Sequence, residues 1–312
     1  MPHVAASINP YLVDAINVIP ESRKAPLCNV SALSYGNKPT DNGLFVLSDQ
    51  EKDELIASDS QAEPLIRPYI GAKEFLNGKT RWCLWLLGTP LSEIEKHPVI
   101  AERVRGVREF RLSSSAKDTV KRAKAPQEFF RTPVHDVSYM AVPRTSSERR
   151  RYIPIGFFGK NTIPSDATSV IANATLYQFG ILESQFHNAW MRTVCGRLKS
   201  DYRYSGGVVY NNFPWPGAMT ENLDTPVEQL VAPDVRGRIE VCAQAVLDAR
   251  EAHPGATLAN LYDPDKMPSD LLVAHKALDA AVEAAYGVNF NGDEEKIVAH
   301  LFDLYAKLTE EA

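Results

Sequence analysis

Apolar and polar positions divide the chain into a body of mixed periodicity and a tail of helical periodicity. Residues 1–47 hold short apolar runs broken by turn residues, "SINPYL", "VIPES" and "YGNKPTDNG", with no sustained period. "LSDQEKDELIAS" predicts a capped helix: Ser48 precedes the run and Glu51 stands three residues on, the spacing of a capping box. "LNGKTRWCLWLL" predicts a hairpin, with Asn77-Gly78 as a primed turn and "RWCLWLL" as a buried strand. Residues 91–125 predict an Arg-rich helix pair or one interrupted helix, with Gly106 and "LSSSAK" as weak points. "VSYMAVPRTSSERRRYIPIGFFG" predicts two strands around a charged connection, and "SVIANATLYQF" another strand. In "LESQFHNAWMRTVCG", Phe186, Trp190 and Val194 recur at every fourth position, so a helix is expected that stops at Gly196.

From about Leu223 the pattern becomes that of Ala-rich amphipathic helices: "RIEVCAQAVLDAREAHP", "LLVAHKALDAAVEAAYG" and "EEKIVAHLFDLYAKLTEE". "PWPGAMTENLDTPVE" reads as the linker ahead of them. The expected fold class is therefore α+β, with a mixed-sheet domain over residues 1–222 and a small all-α domain over 223–312.

Composition sharpens this picture in three ways. At 312 residues, 44% apolar and 23% charged, the chain has material for one large domain or two ordinary ones, and for a real core. "WCLWLLG" at 82–88 is far too short to span a bilayer, and the N-terminus lacks the basic and apolar regions of a secretory signal. Four well-separated cysteines, with no CxxC pair, argue against a disulfide framework or a zinc site and point to a reducing cytoplasm. The net charge of −5 conceals an asymmetry. Residues 101–160 hold fourteen Lys or Arg against six Asp or Glu, a local +8, whereas 221–312 hold seven against eighteen, a local −11. A basic middle is a candidate polyanion surface, or a set of solvated helix faces.

The segment "CGRLKSDYRYSGGVVYNNFPWP" mixes charge with aromatics in a way neither a core strand nor a linker requires. Leu198, Ser200, Tyr202 and Tyr204 alternate with Lys199, Asp201 and Arg203, so one extended strand would place the three charges on one face, about 7 Å apart. Lys can donate to guanine O6 and N7, Asp can accept from cytosine N4, and Arg can take guanine or phosphate. The competing reading is a solvated edge strand with a local ion-pair ladder. Asn211 and Asn212 have the chemistry to read adenine, but Asn before a proline more often caps backbone. "SSERRRYIP" sets Ser146, Ser147, Arg149, Arg150 and Arg151 together, a composition suited to phosphate oxygens or to a solvated turn.

No catalytic residue is proposed. The sequence shows no P-loop, no GxSxG elbow and no GxGxxG. Its seven histidines form no HxxxH, HExxH or His/Cys cluster, so no metal site is expected. "INPYL" has one proline and no glycine-rich nucleotide loop ahead of it, unlike the Asn-Pro-Pro-aromatic motif of amino-methyltransferases.

"IRPYIGAKEFLNG", "VPRTSSERRRYIPIGF", "NATLYQFGILESQFHNAWMRTVCGRLKSDYRYS" and "VYNNFPWP" together resemble the C-terminal third of the MmeI-like (type IIL) restriction–modification enzymes. So does "LDAREAHPGATLANLYDPDKMPSDLLVAHKALDAAVEAAYG", and the likeness runs in the same order from about Asn9 to Tyr286. The resemblance implies a target-recognition domain with a helical C-terminal domain. In the family these follow a nuclease, a helical spacer and an S-adenosylmethionine-dependent adenine-N6 methyltransferase. It implies double-stranded DNA as partner, with the methyltransferase domain of the same protein or of a companion chain. S-adenosylmethionine, and a divalent metal for cleavage, would belong to the parent enzyme; neither is expected in this chain, whose sequence departs from the family by lacking the methyltransferase motifs. In the "GRLxSxxxYS" segment the family's charged pair resembles a specificity determinant for one base pair, which falls on Lys199 and Asp201, with Arg203 beside them. Asp166 and Ala167, in the stretch that starts at Ser165, and Arg144 resemble further base-reading positions. The alternative is a protein-interaction module whose acidic helices dock onto the methyltransferase or nuclease part.

Overall fold

The computed structural model describes residues 8–310. In chain order the body runs through β1 (Leu33–Tyr35), β2 (Val46–Leu47), α1 (Asp49–Ser58), β3 (Ile66–Ile70), α2 (Ala72–Asn77) and β4 (Trp82–Leu84). It continues through α3 (Leu91–Ile94), α4 (Pro98–Leu112), α5 (Lys117–Arg122), β5 (Tyr139–Pro143), β6 (Thr145–Ser146) and β7 (Gly156–Phe158). After β8 (Ile163–Pro164) and β9 (Thr168–Ala172) come α6 (Leu176–Glu183), α7 (Gln185–Val194), β10 (Gly196–Leu198) and β11 (Asp201–Arg203). The remainder is helical: α8 (Pro233–Glu251), α9 (Leu258–Leu261), α10 (Ser269–Ala285) and α11 (Glu294–Glu310). The α+β class stands, with an all-helical tail.

Contacts gather the chain into two compact units that are not simply the two ends of the sequence. One takes the residues up to Leu33, Val142–Phe157 and everything from Ile171; the other takes Ser34–Ala141 and Phe158–Val170. The expected boundary at 222/223 divides the chain differently, because α6 and α7 join the tail helices. α6 is buried along Tyr177–Glu183, and α8 packs on it where Gly180 leaves room. A Cβ there would lie 2.7 Å from Ile239 Cγ2.

In the second unit β2, β4, β3 and β8 form a sheet in that order, with β3 and β8 parallel. Phe45, Leu84, Ile100, Val104 and Phe129 belong to the core of this unit. Ser48 accepts from the Glu51 N–H and Glu51 accepts from the Ser48 N–H, so the capping box opens α1 as expected. The hairpin expected at Asn77-Gly78 is absent. Gly78, at φ 58°, instead ends α2, because a left-handed residue serves a helix C-terminus as well as a primed turn. Gly106 does not interrupt α4; a Cβ there would lie 2.8 Å from Leu44 Cδ1, so the glycine permits close packing. The break falls instead at the serines after Leu112. Arg111, counted in the basic middle, is buried and donates to the carbonyls of Pro39, Thr40, Arg122, Ala125 and Glu128. That part of the local positive charge is a loop staple, not a surface.

In the first unit, α8 packs against α10, and α7 against α11. Between them lies a chain of buried polar groups. Arg250 donates to Glu183, to the Tyr262 hydroxyl and, at 2.6 Å, to the Ile155 carbonyl. Tyr262 meets His275 Nε2 at 2.8 Å, and the His275 ring stacks on Tyr152 with centroids 4.1 Å apart. Tyr152 donates to Asp279 at 2.6 Å, and Asp279 also accepts from the Gln185 N–H at 2.7 Å. Burial raises the Glu183 carboxyl to about 7 against the pull of Arg250, raises Asp279 to about 6, and holds His275 well below the usual imidazole range.

Candidate nucleic-acid interface

α7 ends at Val194, and the chain then forms an antiparallel hairpin in which Leu198 pairs with Asp201 and Gly196 with Arg203. Lys199 and Ser200 are its loop, and Lys199 has φ 57°, the positive φ that primed two-residue hairpin loops require. The single extended strand expected over Lys199–Arg203 is therefore corrected to a turn followed by a strand. Its alternation ran on through the loop because no Asn-Gly or Asp-Gly marks it. Lys199 sits at the tip, exposed, while Asp201 (half-buried) and Arg203 (exposed) share one face of β11.

The opposite face fixes the hairpin. Tyr202 is buried under the Arg197 guanidinium, 4.1 Å from the ring centroid, and pairs with Ser146 of β6. Tyr204, also buried, donates its N–H to the Arg144 carbonyl at 3.0 Å, which ties Arg144, at the bend between β5 and β6, to the residue after Arg203. The Tyr204 hydroxyl meets His187 Nε2 of α7 at 2.9 Å, and that ring packs edge-on to Phe213. Burial lowers the His187 pKa to about 3, so the support beneath the hairpin is neutral.

The chain after the hairpin is a single π-helical turn, Gly206–Tyr210. Its two glycines admit the N-terminal segment: a Cβ on Gly207 would lie 2.5 Å from Ser22 Oγ, and the Arg23 N–H donates to the Gly207 carbonyl at 2.9 Å. Asn211 donates to the Arg23 carbonyl, and Asn212 to those of Glu21, Gly207 and Val208. Both are buried caps and not base readers.

The three consecutive arginines differ in environment. Arg149 is exposed and paired with Asp265, which holds its guanidinium above the usual range. Arg150 is half-buried, and Ser146 Oγ lies 3.4 Å from its Nη1. Burial lowers its pKa while Asp201 and Asp263 oppose the shift. Arg151 donates to Gln185 Oε1 at 3.0 Å. Ser146, expected among the phosphate contacts, is buried in β6 and faces Arg150, so that assignment is corrected; Ser147 starts the turn that carries Glu148 and Arg149. An open cleft of about 400 Å³ is lined by the three arginines together with Arg192, Glu148 and Glu294. Arg192 had no signal in the sequence: its partners Arg151 and Glu294 lie 41 and 102 residues away.

Asp166 and Ala167 lie in the second unit, at a turn closed by the Thr168 N–H donating to the Ser165 carbonyl at 3.0 Å. Asp166 is half-buried and Ala167 exposed. The Asp166 N–H donates to Asn37 O at 3.1 Å, and a Cβ on Gly36 would lie 2.1 Å from the Ser165 oxygen, so only glycine admits this approach. Among the described residues no group of three or more His, Cys, Asp or Glu is placed to hold a metal ion, and no helix is long and apolar enough to cross a membrane.

Residues 14–217 match the family model described as MmeI, target recognition domain, and residues 231–312 match that of the MmeI C-terminal domain. The chain belongs to the MmeI family. It is 38% identical over 308 residues to DNA methyltransferase A of Bacillus subtilis (strain 168), covering 98% of this chain and 33% of that protein. A solved structure of the type IIL restriction-modification enzyme MmeI in complex with DNA superposes with a TM-score of 0.89 at 44% identity, over 98% of this chain and 39% of the MmeI chain. The present chain thus spans about a third of the length of its curated relative. Within the MmeI-family recognition segment, the hairpin tip is exposed, Arg144 lies at the bend between β5 and β6, and Asp166 lies at the turn before β9.

Proposed function

We propose that this chain reads a specific sequence in double-stranded DNA as the C-terminal part of a type IIL restriction–modification enzyme. The observation that carries this reading is the hairpin Gly196–Arg203, which presents Lys199, Asp201 and Arg203 outward from a buried bed of Tyr202, Tyr204 and His187 in a segment that matches the MmeI target recognition domain. A two-stranded ribbon fits the major groove. Lys199 donates to guanine O6 or N7, Asp201 accepts from cytosine N4, and Arg203 reads a neighbouring base. Arg144, Asp166 and Ala167 are proposed as further base-reading positions. Arg149, Arg150, Arg151 and Ser147 supply backbone contacts, which orient the protein without reading sequence. Residues 1–222 form the recognition part and 223–312 the helical part in this functional division.

In the parent protein, in the cytoplasm, site reading presents an adenine for extrusion and N6 methylation elsewhere, on the same protein or a companion chain. S-adenosylmethionine, and a divalent metal for cleavage, are assigned to that catalytic part, and no chemical step is assigned to the residues of this chain. The test is selection of bound DNA from a random duplex library at low salt with this chain. An enriched motif with a fixed G·C pair is the expected result. Sequence-independent binding at every salt concentration would remove the base-reading role.

A further inference from the structure

The cleft beside the hairpin holds cations that are already occupied. Arg192 projects from the last turn of α7 and is largely buried, with 14% of its side chain exposed. Its Nη1 donates to the Arg151 carbonyl at 2.6 Å, which pins the guanidinium. Its Nε and Nη2 both lie 2.9 Å from the two oxygens of Glu294, a bidentate fork. Glu294 itself is 47% exposed. On the other side Arg149 pairs with Asp265, and these side chains are 57% and 71% exposed. Both carboxylates come from the acidic tail; Arg149 comes from the basic 101–160 stretch and Arg192 from α7.

We propose that Arg149 and Arg192 form a seat for DNA backbone phosphates in which Asp265 and Glu294 stand in for phosphate oxygens until DNA displaces them. The argument rests on shape and on strength. A guanidinium fork accepts carboxylate and phosphate in the same bidentate geometry, so a pinned arginine that holds one is preorganised for the other. The Arg149–Asp265 pair is exposed and contributes little, and Glu294, though it faces a largely buried Arg192, is itself half-exposed, so an incoming phosphate can take over from either carboxylate without leaving the guanidinium unpaired. Bound DNA brings phosphates at close, regular spacing, and each pairing releases counterions. The acidic tail thereby competes with DNA at the cleft, lowering affinity for arbitrary sequence while leaving the hairpin free to read bases.

This inference rests on the DNA-reading function proposed above, and the experiment separates the two. Binding of the full chain to a labelled duplex of arbitrary sequence is measured across a salt series for wild type, Glu294→Gln, Asp265→Asn and the double variant. Glu251→Gln is the control; Glu251 is exposed at the end of α8, does not line the cleft, and its loss changes the net charge by as much as each single cleft variant does. The expected result is about three- to tenfold tighter binding by the double variant, with a log–log salt slope steeper by roughly 1. Glu251→Gln should change affinity by less than about twofold, as one remote screened charge does. Tightening by Glu251→Gln equal to that of the cleft variants would reduce the effect to net charge and overturn the seat. Unchanged binding by all three cleft variants, with wild type binding DNA normally, would make the two pairs ordinary surface salt bridges and also overturn it. Failure of wild type and every variant to bind any duplex would remove the DNA-reading function itself.

Discussion

The two sets of charged residues in the first unit are built in opposite ways. Around Glu183 and Arg250, side-chain exposure is 0% and 9%, and Arg250 has a partner on Glu183, on Tyr262 and on Ile155. At the hairpin tip Lys199 and Arg203 are exposed, above a bed of buried tyrosines. In the first group the charges are desolvated and held by one another, so they hold α6 to α8 and to Ile155, just ahead of β7. In the second the charges stay solvated. Charged residues thus stabilise the fold in one place and remain exposed in the other, where the proposed base reading would use them, and the difference lies in what supplies the hydrogen-bond partners.

The largest expected consequence concerns the buried side. Deleting 223–312 removes α8, α10 and α11 from α6 and α7, and α6 is buried along Tyr177–Glu183. The truncated protein should be insoluble or lack a cooperative unfolding transition in urea; a soluble, cooperatively folding product would show that the tail is dispensable for folding. Next, Glu183→Ala leaves the Arg250 charge buried without its carboxylate and should cost about 3–5 kcal/mol in chemical denaturation. A loss below about 1 kcal/mol would mean the pair contributes no structure.

A smaller effect separates the hairpin bed from its surface. His187→Phe leaves the buried Tyr204 hydroxyl without its partner and should cost about 1–3 kcal/mol above pH 7. The sign of the pH dependence follows from the folded pKa of about 3, against about 6.5 in the unfolded chain. Above pH 6.5 His187 is neutral in both states. As pH falls below that, the unfolded chain binds a proton that the folded protein refuses, so wild type loses about 1.4 kcal/mol per pH unit from this group until pH approaches its folded pKa. The variant lacks this loss, so its deficit should shrink between pH 6.5 and 4. A deficit independent of pH would contradict a buried neutral imidazole. The smallest stability effect is expected at the tip, where Lys199→Glu with Asp201→Arg should change unfolding free energy by less than about 0.5 kcal/mol.

Local signals were legible in the sequence: the Ser48/Glu51 capping box, the Phe186/Trp190/Val194 helix and the three tail helices all depend on residues a few positions apart. Two misreadings turn on a positive φ. Gly78 ends a helix where a hairpin was expected, because a left-handed glycine serves either role, and Lys199 turns a hairpin where a strand was expected, because its positive φ has no Gly or Asn to mark it. The division of the charged residues was not legible at all. Arg111 read as one more member of the basic middle and Arg192 carried no signal, and only partners such as Pro39, 72 residues before Arg111, and Glu294, 102 residues beyond Arg192, distinguish staple from surface. The alternation of Asp201 with Tyr202 and Arg203 with Tyr204 did survive, because β11 is a true strand with one buried face.

The measurement that tests this account most directly is site selection from a random duplex library with wild type and with the Lys199→Glu/Asp201→Arg double variant, side by side. The account predicts that the two enrich motifs differing at one base pair, with a change in discrimination there of about 1–3 kcal/mol and no change at the other positions. Identical motifs from both proteins, or loss of all binding by a variant that remains folded, would contradict base reading by the hairpin.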